Sequence, residues 1–141
     1  MTSDTMKGEK ILIDTSVWID YFKKRDSSIG DVVDAVLIKK DVYIPKVVIA
    51  ELIQGVKSEK EIAVIEEFLD AFYIIDNKGD TWIKAGKFSF SMKRQGKTIN
   101  LTDCYIAIMA LDNDCEIFSL DKHFIEIKNF INIKLFDFQK K

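Results

Sequence analysis

The feature that most constrains the fold is a short apolar run near the start of the chain that ends in an acid. The run is Lys10-Ile11-Leu12-Ile13-Asp14, and it shows no alternation of apolar and polar residues. A short run of this kind is typical of a strand covered on both faces, as in parallel sheets. We therefore expect a buried parallel sheet with helices on its faces.

Further apolar segments follow in an order that alternates between strands and helices. The predicted strands after the first are 42–45, 72–75, 116–119 and 131–135; the first predicted helix begins near Val17, and the others cover 28–39, 46–55, 59–70, 80–94, 101–111 and 122–127. Thr15 or Ser16 is expected to cap the first helix, and the β-branched start of 46–55 leaves a strand possible there. The alternation predicts an α/β protein, a three-layer α/β/α sandwich with a mainly parallel central sheet.

The length of the chain bounds its domain organisation. With 141 residues, 48% of them hydrophobic, the chain is long enough for one core and too short for two ordinary domains. We expect an N-terminal extension over 1–9, a single domain over 10–136 and a tail over 137–141. The first nine residues lack the apolar segment of a signal peptide, and no apolar run approaches the roughly 20 residues of a membrane span. We therefore expect a soluble, cytoplasmic protein.

Histidine and cysteine are too few to carry most metal and nucleophile chemistry. His123 is the single histidine, and Cys104 and Cys115 are the only cysteines. This set argues against a zinc site, and the apolar surroundings of both cysteines suit small hydrophobic side chains better than a disulfide. Chemistry must therefore rest on carboxylates, hydroxyls or lysines.

The charge balance limits how the protein could hold nucleic acid. The formal net charge is -2, whereas domains that bind by phosphate neutralisation alone are normally strongly basic. If RNA is bound, metal ions and local cations must contribute. The best basic patch comprises Lys84, Lys87, Lys93 and Arg94, although a solvated helix face explains it equally well.

Four acids stand where a site is expected. In open parallel sheets, ligands bind beyond the carboxyl ends of the strands. Asp14 ends the first strand, Asp121 follows a later strand by a turn, and Asp103 opens a buried helix. Glu51 lies in a largely apolar helix, where a charge is costly unless it is paired, coordinated or near an edge.

Each acid also has an ordinary explanation. Asp14 and Asp121 suit turn or capping positions, Asp103 suits the first turn of a helix, and Glu51 suits a solvated helix face. Several acids at one rim nevertheless favour a metal site, because clustered carboxylates raise one another's pKa unless divalent cations neutralise them. Ligands that are all oxygen favour magnesium or manganese.

Two other enzyme classes that place a ligand site after the first strand do not fit. Ser16 stands where a haloacid dehalogenase-like phosphatase needs its second aspartate. A Rossmann nucleotide binder needs a glycine-rich loop after the first strand, and Asp14-Thr15-Ser16-Val17 stands there instead.

Four segments together resemble the motifs of PIN-domain ribonucleases, particularly VapC-type toxins. The segments are ILIDTSVWIDYF, IPKVVIAELIQG, KRQGKTINLTDCYIAIMA and IFSLDKHF. They occur in the family's order and at its approximate spacings, within a resemblance that extends from about Lys10 to Leu135. By this resemblance, the catalytic metal ligands are Asp14, Glu51, Asp103 and Asp121.

The resemblance also implies an activity and partners. It implies an endoribonuclease dependent on Mg²⁺ or Mn²⁺, the toxin of a type II toxin–antitoxin pair, which forms homodimers and is inhibited by a VapB-type antitoxin. It further implies a product that carries a 5′-phosphate. One or two ions would bind the scissile phosphate and activate a water, and metal-bound hydroxide suits the role of nucleophile because no side chain is an obvious general base. Many relatives have asparagine two residues after the first aspartate. Ser16, a common variant there, is expected to support the ligands.

A non-enzymatic alternative is a PIN-like module that binds RNA or protein without nuclease activity. The intact set of four acids speaks against it, because a charge cluster destabilises the metal-free protein and serves no purpose in a binding module. Aromatic side chains on the first helix, Trp18, Tyr21 and Phe22, suit a dimer or antitoxin contact, or equally the core.

Overall fold

The computed structural model describes residues 9–76 and 78–139 of the chain. Of the predicted extension over 1–9, only Glu9 lies among the described residues. The predicted tail over 137–141 is described as far as Gln139.

Five strands form one sheet in the described part of the chain. They are Lys10–Ile13 (β1), Asp41–Pro45 (β2), Tyr73–Ile75 (β3), Glu116–Phe118 (β4) and Lys134–Leu135 (β5). Their order is β3-β2-β1-β4-β5, and every neighbouring pair is parallel. In this register Ile11 lies between Val42 of β2 and Glu116 of β4, so β1 is the central strand.

Seven helices connect the strands within the described ranges. They are Thr15–Lys23 (α1), Ser27–Lys39 (α2), Lys46–Gly55 (α3), Glu59–Phe68 (α4), Thr81–Arg94 (α5), Leu101–Asp112 (α6) and His123–Lys128 (α7). Among the described residues, no helix is both long enough and apolar enough to cross a membrane.

The strand order places the helices on both faces of the sheet. The chain moves outward in one direction from β1 through β2 to β3, then returns past β1 to β4 and β5. Because parallel crossovers are right-handed, the two directions put their helices on opposite faces. Accordingly, α1 packs against α2 and α3, whereas α5 packs against α6, and α6 against α7. The predicted α/β/α sandwich is confirmed.

The core forms around β1 and the first helix. Ile11, Leu12 and Ile13 are fully buried, as the absence of alternation in this run predicts. Trp18 is also fully buried, and its ring stacks on Phe22 at a centroid distance of 5.8 Å. Trp18 therefore belongs to the core rather than to a free contact surface.

Some predicted boundaries are wrong. Helix α1 begins at Thr15, because the Asp14 carbonyl already accepts from the amides of Val17 and Trp18. Thr15 and Ser16 are therefore inside the helix and do not cap it. Residues 46–55 form a helix, so the strand alternative there is wrong.

The predicted final strand over 131–135 is also too long. The amides of Phe130 and Ile131 donate to the carbonyl of Ile127 at the end of α7. These turns keep 130–133 out of the sheet, and β5 contains only Lys134 and Leu135.

Candidate active site

The candidate site lies where β1 and β4 end side by side. Here the direction of the strand order reverses, and such a switch point opens a crevice at the carboxyl edge of the sheet. The Asp14 amide donates to the Phe118 carbonyl at 2.9 Å, which joins the ends of the two strands. Asp14 and Asp103 are only 4% and 7% exposed, and they are the only charged residues that are buried among those described.

Two serines hold the Asp14 carboxylate. Ser16 Oγ and Ser119 Oγ each donate to Asp14 Oδ2 at 2.8 Å. Ser16 Oγ also accepts from the Leu120 amide at 3.0 Å, and Ser119 Oγ accepts from the Asp121 amide at 2.9 Å. The loop after β4 is thereby tied to the acid that follows β1.

Asp103 lies in the first turn of α6, where two neighbours fix it. Asn100 caps the helix: its Oδ1 accepts from the Asp103 amide at 2.8 Å, and its Nδ2 donates to Asp103 Oδ2 at 3.1 Å. His123 Nδ1 lies 2.9 Å from the same Asp103 oxygen and 3.3 Å from Asp121 Oδ1. Asp103, Asp121 and His123 each bring one ligand atom within 4.8 Å of the others.

The electrostatics of this group favour a positive charge. Burial raises the pKa of Asp103, the hydrogen bond with His123 lowers it, and the charges of Asp121 and Asp14 raise it further. The pKa of His123 is raised chiefly by its hydrogen bond to Asp103, against the opposing effect of burial. Repulsion among the carboxylates is therefore present in this fold, as expected of a clustered acidic site.

Glu51 and Asp121 occupy less enclosed positions than the two buried aspartates. Glu51, on α3, is half-buried, and Thr15 Oγ1 donates to its Oε1 at 2.7 Å. Glu51 reaches the site through Thr15, which is adjacent to Asp14, and is not a member of the close group around Asp103. Asp121 Oδ1 accepts from the His123 amide at 2.9 Å, but Lys122 stands at the N-cap of α7 and no side chain makes a capping hydrogen bond there, so the capping role expected for Asp121 is wrong.

Four polar residues of the site were not identified from the sequence: Thr15, Asn100, Ser119 and His123. Two of them have recognisable signals, since Asn100 stands three residues before Asp103, the spacing of a helix cap, and Ser119 stands two before Asp121. In the sequence, His123 serves only as an argument against a zinc site, because it is the single histidine. Its place beside two aspartates depends on how α7 returns to the sheet.

The donor set fits a hard divalent cation. Asp14 and Asp103 offer carboxylate oxygens in a buried setting, and the half-exposed Asp121 opens the group to solvent. Carboxylate oxygens are the ligands that magnesium and manganese prefer.

The basic patch on α5 divides into paired and free cations. Lys84 Nζ lies 3.8 Å from Asp80 and 3.7 Å from Asp112, so its charge is largely compensated. Lys87, Lys93 and Arg94 are exposed. The Arg94 guanidinium lies 5.7 Å from the centroid of the exposed Phe90 ring.

Sequence comparisons place most of the chain in a known group. The sequence model of the PIN domain family matches residues 11–129. Ribonuclease VapC1 of Methanocaldococcus jannaschii is 32% identical over 130 residues, which are 91% of this chain and 88% of that protein.

Solved structures share the fold. VapBC-1 from nontypeable Haemophilus influenzae matches with a TM-score of 0.74 and 24% identity, over 93% of this chain and 99% of that chain. The DNA-bound VapBC from Salmonella typhimurium matches with a TM-score of 0.73 and 22% identity, over 92% and 98% of the two chains.

Proposed function

This chain belongs to the PIN-domain family, and from that premise we propose that it is a metal-dependent endoribonuclease, the toxin of a type II toxin–antitoxin pair. The observation that carries the proposal is the burial of Asp14 and Asp103 at the switch point of the sheet, with Asp121 and His123 beside Asp103. The similarity to a protein named as a ribonuclease supports the same activity.

In this proposal the four predicted acids hold the ion. Asp14 and Asp103 are its principal ligands, and Asp121 and Glu51 complete the site from its more open side. When bound, Mg²⁺ or Mn²⁺ supplies positive charge for the scissile phosphate and lowers the pKa of an attacking water. We propose Mg²⁺ as the ion used in the cell, with Mn²⁺ able to replace it.

The surrounding residues orient these ligands. Both serine hydroxyls bind Asp14 Oδ2 and so fix the orientation in which this carboxylate would hold an ion. Asn100 and His123 both bind Asp103 Oδ2 and fix that carboxylate in the same way. Such supporting hydrogen bonds set ligand orientation and strengthen metal binding.

The substrate in this proposal is RNA, and the partners are a VapB-type antitoxin and a second copy of the chain. Lys87, Lys93 and Arg94 lie on a helix of 14 residues that contains no acid. We assign them to contacts with the RNA backbone, since phosphate contacts need cations that are not already paired. The cytoplasm is the compartment that a toxin acting on cellular RNA requires.

The test is RNA cleavage by the purified chain. We expect cleavage in Mg²⁺ or Mn²⁺ and none in EDTA, with kcat/KM lowered at least about 100-fold in Asp14→Asn and in Asp103→Asn, because each removes a ligand charge. Asp31→Asn is the matched control, since it makes the same change at an exposed position of α2. Metal-independent cleavage, or full activity in both site variants, would refute the mechanism.

The binding-module alternative gives a different result. It predicts that the wild-type chain binds RNA or protein with no cleavage in either metal. Sequencing of RNA ends after expression of the chain without its antitoxin then separates the two functions in cells, because only a nuclease produces new ends.

A further inference from the structure

We propose that a cavity next to Asp121 binds the nucleobase that flanks the scissile phosphate. The inference rests on the proposed RNA cleavage and adds a base-binding subsite to it. The cavity has a volume of about 380 Å³ and lies between the loop after β4, helix α7 and the segment after β5. We call it the base pocket, and the lining residues that matter here are Ser119, Leu120, Asp121, Ile125, Phe136 and Phe138.

The base pocket adjoins the acidic site. Ser119 and Asp121 line the cavity, and the same two residues take part in the site through their hydrogen bonds with Asp14 and His123. These two residues therefore form a wall that the acidic site and the cavity share. A nucleotide whose phosphate lies at the carboxylates has its base one sugar away, which is the distance at which a neighbouring cavity can receive it.

The lining of the base pocket suits a flat aromatic group. Phe136 and Phe138 are half-buried, and the fully buried Phe118 supports them at ring-centroid distances of 5.0 and 5.4 Å. Leu120 and Ile125 are 37% and 59% exposed. Rings held in place beside exposed apolar side chains offer the kind of stacking surface on which proteins bind single-stranded bases.

The charges of the lining favour a base over a phosphate. Among the described lining residues, Asp121 and Asp137 contribute two carboxylates and Lys122 contributes one ammonium group. This excess of negative charge repels phosphate but leaves hydrogen-bond acceptors for the amino and imino groups of a base. Asp137 Oδ1 already accepts from the Gln139 amide at 3.2 Å, which holds one such acceptor in place.

The experiment tests whether removal of a base and removal of a pocket side chain have the same effect on cleavage. Once a cleavage site is mapped, oligoribonucleotides are made with one abasic residue on either side of the scissile bond. We expect wild-type kcat/KM to fall about tenfold for one abasic position, because the base loses its stacking contact. In Phe138→Ala the intact and abasic substrates should be cleaved at nearly equal rates.

Two further variants guard against a folding defect. Ile125→Ala removes a side chain that is 59% exposed, and Ile38→Ala removes one that is 84% exposed on α2. Ile125→Ala should reduce the ratio of kcat/KM between the intact and the abasic substrate, and Ile38→Ala should leave that ratio as in the wild type. The proposal would be overturned if the wild type cleaved the intact substrate and both abasic substrates with the same kcat/KM. It would also be overturned if the loss in kcat/KM persisted in both pocket variants.

A binding measurement separates this proposal from the nuclease proposal. Fluorescence anisotropy in Mg²⁺ of a labelled oligoribonucleotide, intact and with each residue in turn made abasic, needs neither cleavage nor a mapped cleavage site. If the wild type cuts nothing but loses about tenfold in affinity for one abasic position, and the pocket variants do not, the base pocket stands and only the nuclease proposal fails. If the variants weaken binding of a VapB-type antitoxin and leave the RNA ratios unchanged, the occupant is protein and the base pocket is refuted.

Discussion

Ser119 Oγ donates a 2.8 Å hydrogen bond to Asp14 Oδ2 across a separation of 105 residues. The same oxygen accepts from the Asp121 amide. One hydroxyl therefore connects the acid that follows β1 to the acid that follows β4, and the relative position of these two acids depends on it.

Replacing this hydroxyl should impair activity more than folding. We expect Ser119→Ala to lower kcat/KM about tenfold, since loss of a group that orients a metal ligand typically has this effect. The free energy of unfolding should fall by about 1 kcal/mol for the lost hydrogen bonds. Cleavage rates measure the activity, and urea unfolding measures the stability. The control is Ser27→Ala, at an exposed position of α2. Equal activity in the two variants would contradict the role of Ser119 in orienting Asp14.

Glu51 should matter less than the two buried aspartates. Because it contacts the site through Thr15, we expect Glu51→Gln to lower kcat/KM about tenfold and Thr15→Val to lower it less. The reference is Glu67→Gln, a matched change on the exposed side of α4. Unchanged cleavage by Glu51→Gln would show that Glu51 is an ordinary solvated helix residue.

Metal should stabilise the fold through Asp103. A carboxyl group whose pKa is higher in the folded state than in the unfolded state costs folding free energy at neutral pH, and the pKa of Asp103 is raised. In EDTA we expect Asp103→Asn to be more stable than wild type by about 1 kcal/mol, or about 2–4 °C in Tm. Mg²⁺ should raise the Tm of the wild type and of Asp31→Asn by more than that of Asp103→Asn. Thermal unfolding with an equal Mg²⁺ response in all three proteins would contradict this.

The exposed cations of α5 should determine the salt dependence of RNA binding. We expect the triple variant in which Lys87, Lys93 and Arg94 are changed to glutamine to bind RNA with a weaker dependence on salt. Each phosphate contact on single strands contributes about 0.7 to the slope of log affinity against log salt concentration, so the loss of three contacts should reduce the slope by about 2. The control changes Lys23, Lys24 and Lys39, which lie on the other face of the sheet. If both triple variants alter the slope equally, α5 makes no special contact.

The two thiols should be inert in the folded protein. Cys104 and Cys115 are buried and unpaired, and burial raises the pKa of Cys115 to about 11. Below that pH only a small fraction is thiolate, and the fraction increases tenfold per pH unit. We expect a thiol reagent to modify both rapidly in denaturant and at least about 100-fold more slowly in the native state. Fast native modification near neutral pH would show that the core opens readily.

The sequence predicts the elements of the sheet better than their order. Ile11, Leu12 and Ile13 mark a buried strand because no residue among them is polar. Nothing in that run indicates that β4 is its second neighbour, because strand order depends on how distant segments pack. Strand ends alone place Asp14 and Asp121 near the same edge, since the carboxyl ends of parallel strands share an edge whatever their order.

The supporting residues of the site were harder to predict. Thr15 and Ser16 were expected to cap a helix, and Ser16 also to support the ligands; in the structure their hydroxyls bind Glu51 and Asp14. His123 could not be placed, because its neighbour Asp103 is 20 residues away in sequence. Hydrogen-bond partners depend on side-chain directions, which sequence spacing specifies only within one element.

The central position of β1 has a consequence for synthesis on the ribosome. β1 leaves the ribosome before both of its neighbours, and one of them, β4, spans Glu116–Phe118. Until that part of the chain leaves the exit tunnel, the strand that precedes Asp14 has one open edge, and Ser119 and His123 have not reached the carboxylates. A nascent chain therefore lacks the assembled site until the residues as far as His123 have left the tunnel.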